Sequence, residues 1–219
     1  MSERYNHRDT YLIRLILAAI SFLVFVIIAY MMTRGMTEDF DESLEEAARS
    51  LRGPVQNAVL IFITHLARWT TICGIGVILL VVNAVKWRKP DYPLAIGACL
   101  INLGIYSMLK NYFQRPRPDK TFWLVMEHGF SFPSGHTMNG TFCYGMLIYL
   151  IYRNMENKKL KTALIVLLAV LIPLIGFSRV FVGVHHPTDV IAGGFRGFGL
   201  LMLATVILDE ILYRYYKKH

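Results

Sequence analysis

Residues 161–213 read KTALIVLLAVLIPLIGFSRVFVGVHHPTDVIAGGFRGFGLLMLATVILDEILY, and this stretch decides the fold. Two apolar runs, 161–180 and 188–213, are each close to the length that crosses about 30 Å of hydrocarbon. Between them lies a turn carrying Arg179 at its edge, then His185, His186 and Asp189. Ionisable residues at that depth are costly unless something uses them. The pattern predicts two helices of a membrane bundle, joined at a polar site.

Four further runs of the same kind, at roughly 12–33, 69–86, 92–112 and 134–153, extend the reading to six transmembrane helices in one bundle. The expected class is an all-α integral membrane protein, with 1–219 as a single transmembrane domain. Composition agrees: 55% of residues are hydrophobic and 17% charged, against about a quarter charged in soluble domains. The run Leu15–Met32 is long for a leader's apolar core and lacks a small-x-small site at its end, so it reads as a retained first span. Between the first two spans an interfacial segment, about 36–66, holds two pieces. Gln56–Leu66 is apolar but too short to cross. Glu38–Arg52 (EDFDESLEEAARSLR) has an apolar stripe at Phe40, Leu44, Ala47, Ala48 and Leu51 opposite an acidic face. That pattern predicts an amphipathic helix lying on the membrane, with a solvated surface helix as the alternative.

The net charge of +8 does not point to nucleic acid, because the basic residues cluster at the ends of apolar runs. Arg4 and Arg8, then Lys86, Arg88 and Lys89, then Arg153, Lys158, Lys159 and Lys161, and finally Arg214, Lys217 and Lys218 all fall on one side of a six-span chain. By the positive-inside rule that side, with both termini, is cytoplasmic. The expected location is the plasma (inner) membrane. The three cysteines, Cys73, Cys99 and Cys143, are isolated within apolar runs, and their odd count and spacing support neither disulfides nor a zinc site.

A second set of basic residues falls on the opposite face, in three blocks at helix ends. Lys110-Asn-Tyr-Phe-Gln-Arg-Pro-Arg117-Pro118 leaves the third span. Pro133-Ser134-Gly135-His136 opens the fourth. Ser178-Arg179 through His185 to Asp189 joins the fifth and sixth. Lys110, Arg117 and Arg179 are three fixed cations, and guanidinium forks match phosphate oxygens. Ser134 is a natural N-cap, and the amides of Ser134, Gly135 and His136 are expected to point outward, free for an anion. Asp189 in the first turn of the sixth helix can accept the N–H of His185, leaving its other ring nitrogen to attack phosphorus. His136, on another helix end, can protonate the leaving oxygen and then activate water. No divalent-metal cluster is visible, and the cations fill a metal's electrostatic role. No metal or cofactor is expected.

These blocks carry the KxxxxxxRP, PSGH and SRxxxxxHxxxD patterns, and the chain resembles the type-2 phosphatidic-acid phosphatase superfamily over about 104–200. The six-span layout is similar to bacterial members acting on phosphatidylglycerophosphate or undecaprenyl diphosphate. The resemblance implies a phosphohistidine at His185, an acid and base at His136, phosphate-binding roles for Lys110, Arg117, Ser134, Gly135 and Arg179, and metal-independent hydrolysis. It also implies a membrane lipid phosphate as the partner, with no nucleic acid or protein partner indicated. The expected function is a lipid phosphate or diphosphate phosphohydrolase at the non-cytoplasmic face, with undecaprenyl diphosphate the first substrate. Phosphatidylglycerophosphate or phosphatidic acid is the alternative, as is a lipid phosphotransferase. Vanadate-dependent haloperoxidases share such a site, so the fold alone does not settle the activity.

Around these blocks, His65 and Arg68 read as snorkelling or capping residues, and Glu127 and His128 as a solvated outer loop, with contact to a lipid headgroup as the alternative. Arg115 and Lys120 add positive field, His186 is a substrate contact, a helix cap or a surface residue, and Arg196, one to two turns into the last span near the Asp189 face, either supports the site or pairs internally.

Overall fold

Eight α-helices follow one another in the computed structural model, which describes residues 8–218 apart from the side chains at 8, 9 and 105–107. They are α1 (Arg8–Thr33), α2 (Glu38–Ser50), α3 (Pro54–Leu66), α4 (Trp69–Val82), α5 (Asp91–Phe113), α6 (Gly135–Asn154), α7 (Lys158–Phe181) and α8 (Pro187–Lys218). Among the described residues there is no strand. Arg4 lies outside them.

Among the described residues, five helices are long and apolar enough to cross a membrane: α1, α4 with the π-helical turn Asn83–Trp87 that extends it, α5, α7 and α8. The remaining predicted span, the fourth at 134–153, folds as α6 but has no stretch as apolar as those of the other five. The reason is its position. It packs against α5, α7 and α8, so Thr137, Asn139 and Thr141 are buried against protein rather than exposed to lipid. Asn102 of α5 donates to Asn139 at 2.8 Å.

α8 lies against α6 with almost nothing between the backbones. A Cβ at Gly193 would sit 2.7 Å from the Ser134 carbonyl oxygen, and one at Gly197 would sit 2.5 Å from that of Met138. This is the close approach that a small-xxx-small pair permits. It brings the first turn of α8 beside the first turn of α6, where Ser134 N–H donates to the Asp189 carbonyl at 3.0 Å.

The far end of the bundle is tied by a polar knot. Buried Asp209 accepts from Arg14 at 2.6 Å, from Tyr149 at 2.7 Å and from Arg153. Arg153 also reaches Asp91 at 3.1 Å, and Tyr216 donates to Asp91 at 3.0 Å. Four helices, α1, α5, α6 and α8, meet there, and each buried charge has an opposite partner, as burial demands.

α2 forms where the sequence predicts it, but its acidic face is not turned wholly to water. Asp41 is buried and Glu45 is turned toward His186, whereas Phe40, Leu44 and Leu51 are exposed. The acidic residues have partners at the start of α8, and these partners decide the rotation.

Candidate active site

The end of α5, the loop that follows it, and the starts of α6 and α8 converge opposite the polar knot. They enclose a cavity of about 300 Å³ lined by Lys110, Arg117, Gly135, His136 and His185 among others. A second cavity of about 280 Å³ is lined by Thr64, His65, Arg68, Glu127, His136 and Arg179. His136 borders both, and it stands between the two groups of cations.

His185 is buried, and its ring is held at both nitrogens. Nδ1 is 3.3 Å from Asp189 Oδ2, and Nε2 is 3.2 Å from Arg117 Nη1. Burial first, then the positive charges of Lys110, Arg117 and Arg179, push its pKa well below the ordinary imidazole value. The ring is therefore neutral near pH 7. Asp189 is an acceptor, so the ring proton belongs on Nδ1 and the lone pair on Nε2, beside the cavity.

Asp189 is fixed on every side. Oδ2 also accepts from the His186 backbone N–H at 2.9 Å and from the Ser131 hydroxyl, and Oδ1 accepts from Arg115 at 2.6 Å. Arg115 in turn donates to Thr188 Oγ1 at 2.8 Å and to Asp41 Oδ2 at 2.7 Å. Burial opposes its charge, but Asp189 and Asp41 more than offset that, and its pKa is raised. The diffuse positive field expected of Arg115 is thus a specific bridge.

The expected phosphate ligands are held by backbone oxygens and by one carboxylate. Lys110 Nζ donates to the Phe130 carbonyl at 2.9 Å. Arg117 donates to Gly129 at 2.9 Å, His128 at 3.0 Å and Val184 at 2.7 Å. Burial lowers its pKa, which leaves it a desolvated cation suited to an anion. Arg179, almost wholly buried, donates to Thr64 Oγ1 at 2.6 Å and to Glu127. Its Nε has no partner among the described residues. Glu127 is not solvated as expected: its carboxylate also lies 3.9 Å from Arg117 and 3.9 Å from His136. It stands among the groups assigned to an incoming phosphate.

Two expectations change in detail. The Ser134 hydroxyl accepts from Thr137 as an N-cap, as predicted, but its backbone N–H is taken by Asp189 and is not free for an anion. His65 and Arg68 line the second cavity instead of only capping a helix end. His65 has a lowered pKa, from burial and from the neighbouring Arg68 and Arg179. His186 pairs with Glu45 at 2.7 Å, and Arg196 Nη1 lies 3.0 Å from the sulfur of Met138. Sequence reasoning missed Ser131 and Asp41 as site residues, and for Glu127 it preferred a solvated loop to a headgroup contact. Ser131 was the most accessible of these, standing three residues before the Ser134 cap. Among the described residues no three His, Cys, Asp or Glu side chains come together in a way that could hold a metal ion.

Comparison with known proteins gives the same picture. Residues 92–212 match the model of the PAP2 superfamily. Phosphatidylglycerophosphatase B of Bacillus subtilis (strain 168) is 33% identical over 200 residues, covering 90% of this chain and 97% of that protein. The solved transmembrane PAP2-type phosphatidylglycerolphosphate phosphatase from Bacillus subtilis superposes with a TM-score of 0.82 at 31% identity, over 89% of this chain and 96% of that one. Aquifex aeolicus LpxE shares the fold, with a TM-score of 0.61 at 23% identity, over 75% of this chain and 93% of that one. The three motif blocks, the helical bundle that joins them and these likenesses agree: the chain belongs to the PAP2 superfamily and is a membrane-embedded lipid phosphatase of that kind.

Proposed function

We propose that this chain hydrolyses a lipid phosphate at the non-cytoplasmic face of the membrane through a phosphohistidine at His185, as one six-span unit. The observation that carries the reading is the His185 ring, backed by Asp189 at Nδ1 and offering Nε2 beside Arg117 at a cation-lined cavity. In the first step Nε2 bonds to phosphorus, the bond from phosphorus to the lipid oxygen breaks, and His136 gives that oxygen its proton. In the second, His136 takes a proton from water, the water oxygen bonds to phosphorus, and the N–P bond breaks to release inorganic phosphate. Lys110, Arg117 and Arg179 hold the charge that gathers on the phosphoryl oxygens. Asp189 holds the ring and balances its positive charge in the phosphorylated state.

The sequence alone favoured undecaprenyl diphosphate as substrate. The relative that aligns over nearly its whole length is named for phosphatidylglycerophosphate, and that lipid is our first choice. The test is phosphate release by the detergent-purified protein from phosphatidylglycerophosphate, phosphatidic acid and undecaprenyl diphosphate, with and without EDTA. We expect phosphatidylglycerophosphate to have the highest kcat/KM, undiminished by chelator. A higher value for undecaprenyl diphosphate would reverse the choice of lipid. A strict need for a divalent ion would overturn the mechanism.

A further inference from the structure

We propose that Asp41, on the interfacial helix α2, is a positioning residue of the reaction that keeps the group behind His185 at a net charge of minus one. The inference rests on the reading of His185 as nucleophile. Asp189 alone would supply that negative charge, but Arg115 neutralises it: Nη1 is 2.6 Å from Asp189 Oδ1, and both side chains are largely buried. A neutral pair is a poor counterion for an imidazole that gains positive charge as its Nε2 bonds to phosphorus. Asp41 restores the balance. Its Oδ2 is 2.7 Å from the other terminal nitrogen of Arg115, in a pair as shielded as the first. Two carboxylates and one guanidinium in line leave one negative charge facing the ring.

Asp41 is also fixed to the same helix start. It accepts from the Thr188 backbone N–H at 2.9 Å and from the Thr188 hydroxyl at 2.8 Å. Its own position is therefore set by the residue next to Asp189. Asp41 touches neither His185 nor the cavity, and it lies outside the part of the chain that matches the superfamily model, 92–212. The N-terminal segment is in this view more than a membrane anchor: it completes the electrostatics of a site whose motifs all lie elsewhere.

A unit charge one guanidinium away shifts the stability of a charged state by roughly one to two powers of ten at protein dielectric. Asp41→Asn should accordingly lower kcat by about 10- to 100-fold, with little change in KM, because no substrate contact is lost. The deciding variant is the double change Asp41→Asn with Arg115→Gln. It removes one charge of each sign, returns the group to minus one, and should be faster than Asp41→Asn alone by about 10-fold. A residue with only a structural role predicts the opposite, since two broken bridges are worse than one. Should Asp41→Asn fail to fold, Asp41→Glu and Asp41→Gln, equal in length and different in charge, give the same comparison, with the Glu variant at least about 10-fold faster. A kcat unchanged in Asp41→Asn, a double variant no faster than the single, or equal rates for Glu and Gln would each overturn the proposal. His185→Ala is run alongside: residual turnover there would refute the nucleophile itself, separately from any result at Asp41.

Discussion

His185 is neutral because it is buried among cations, and this has consequences that can be measured. Its pKa lies well below the ordinary value, which is about 6.5. In the acid range the folded chain thus binds fewer protons at this position than the unfolded chain. The stability it contributes is present above about pH 6.5 and is lost progressively as pH falls toward the lowered value. For activity, the acid limb of kcat/KM, corrected for ionisation of the substrate's own phosphate, should fall below pH 6.5. A limb centred at 6.5 or above would mean that the free enzyme's nucleophile is not this buried ring. The two histidines also separate by leaving group. A lipid diphosphate releases a weakly basic phosphate oxygen, and a monoester releases an alkoxide. His136→Ala should therefore slow monoester hydrolysis about 10²-fold more than diphosphate hydrolysis. Equal losses would remove His136 from the proton-donor role. Most of the side chains that the fold gathers at this cavity were legible in the sequence, because Lys110, Arg117, His136, His185 and Asp189 stand in short polar blocks at helix ends. Asp41, Glu127 and the bridging role of Arg115 were not. Each depends on partners far along the chain, at separations such as the 74 residues between Asp41 and Arg115, which no local pattern encodes.

At the scale of helices, the close seam between α6 and α8 sets the distance between the turns that carry His136 and His185. A methyl at Gly197 meets backbone, the Met138 carbonyl oxygen, not a movable side chain. Gly197→Ala should destabilise the protein by about 1–3 kcal/mol, the usual range for overpacking, and lower its melting temperature in detergent. An unchanged melting temperature would show that the seam can open freely. Helix boundaries were readable because apolar length is a strong signal; the orientation of α2 was not. Its stripe predicted which residues lie together but not which side faces the protein, because Thr188, Arg115 and His186 draw the acids inward. α6 shows the converse: its polar residues weaken the membrane signal for the helix that is most enclosed by others. The proposed orientation is open to a direct test. In a cysteine-free background, Lys120→Cys should react with an impermeant thiol reagent applied from outside, and Lys158→Cys should not. The reverse labelling would invert the topology.

Across the whole molecule, polar groups concentrate at the two ends of the bundle and apolar ones between them. The polar knot at the end away from the site is a structural counterpart to the catalytic end. Asp209→Leu would leave Arg14 and Arg153 without a shared carboxylate, a break that typically costs about 3–5 kcal/mol when buried. Thermal unfolding should register that loss while the activity of the folded fraction is kept, since the knot and the cavity share no residue. A selective loss of activity at unchanged melting temperature would contradict this division. The catalytic end holds a different arrangement. Glu127 rests its carboxylate against Arg179, near Arg117 and His136, so the groups proposed to hold phosphate already carry an anion of their own chain. A tethered carboxylate acts at high effective concentration, and every arriving anion must compete with it. Free phosphate brings only its charge to that contest, whereas a lipid brings acyl chains that prefer the bilayer. On the proposed mechanism, that competition would work against retention of the phosphate the reaction releases. Glu127→Gln should lower the inhibition constant for inorganic phosphate about tenfold or more, on the scale of one charged hydrogen bond, and an unchanged constant would show that the carboxylate yields at no cost.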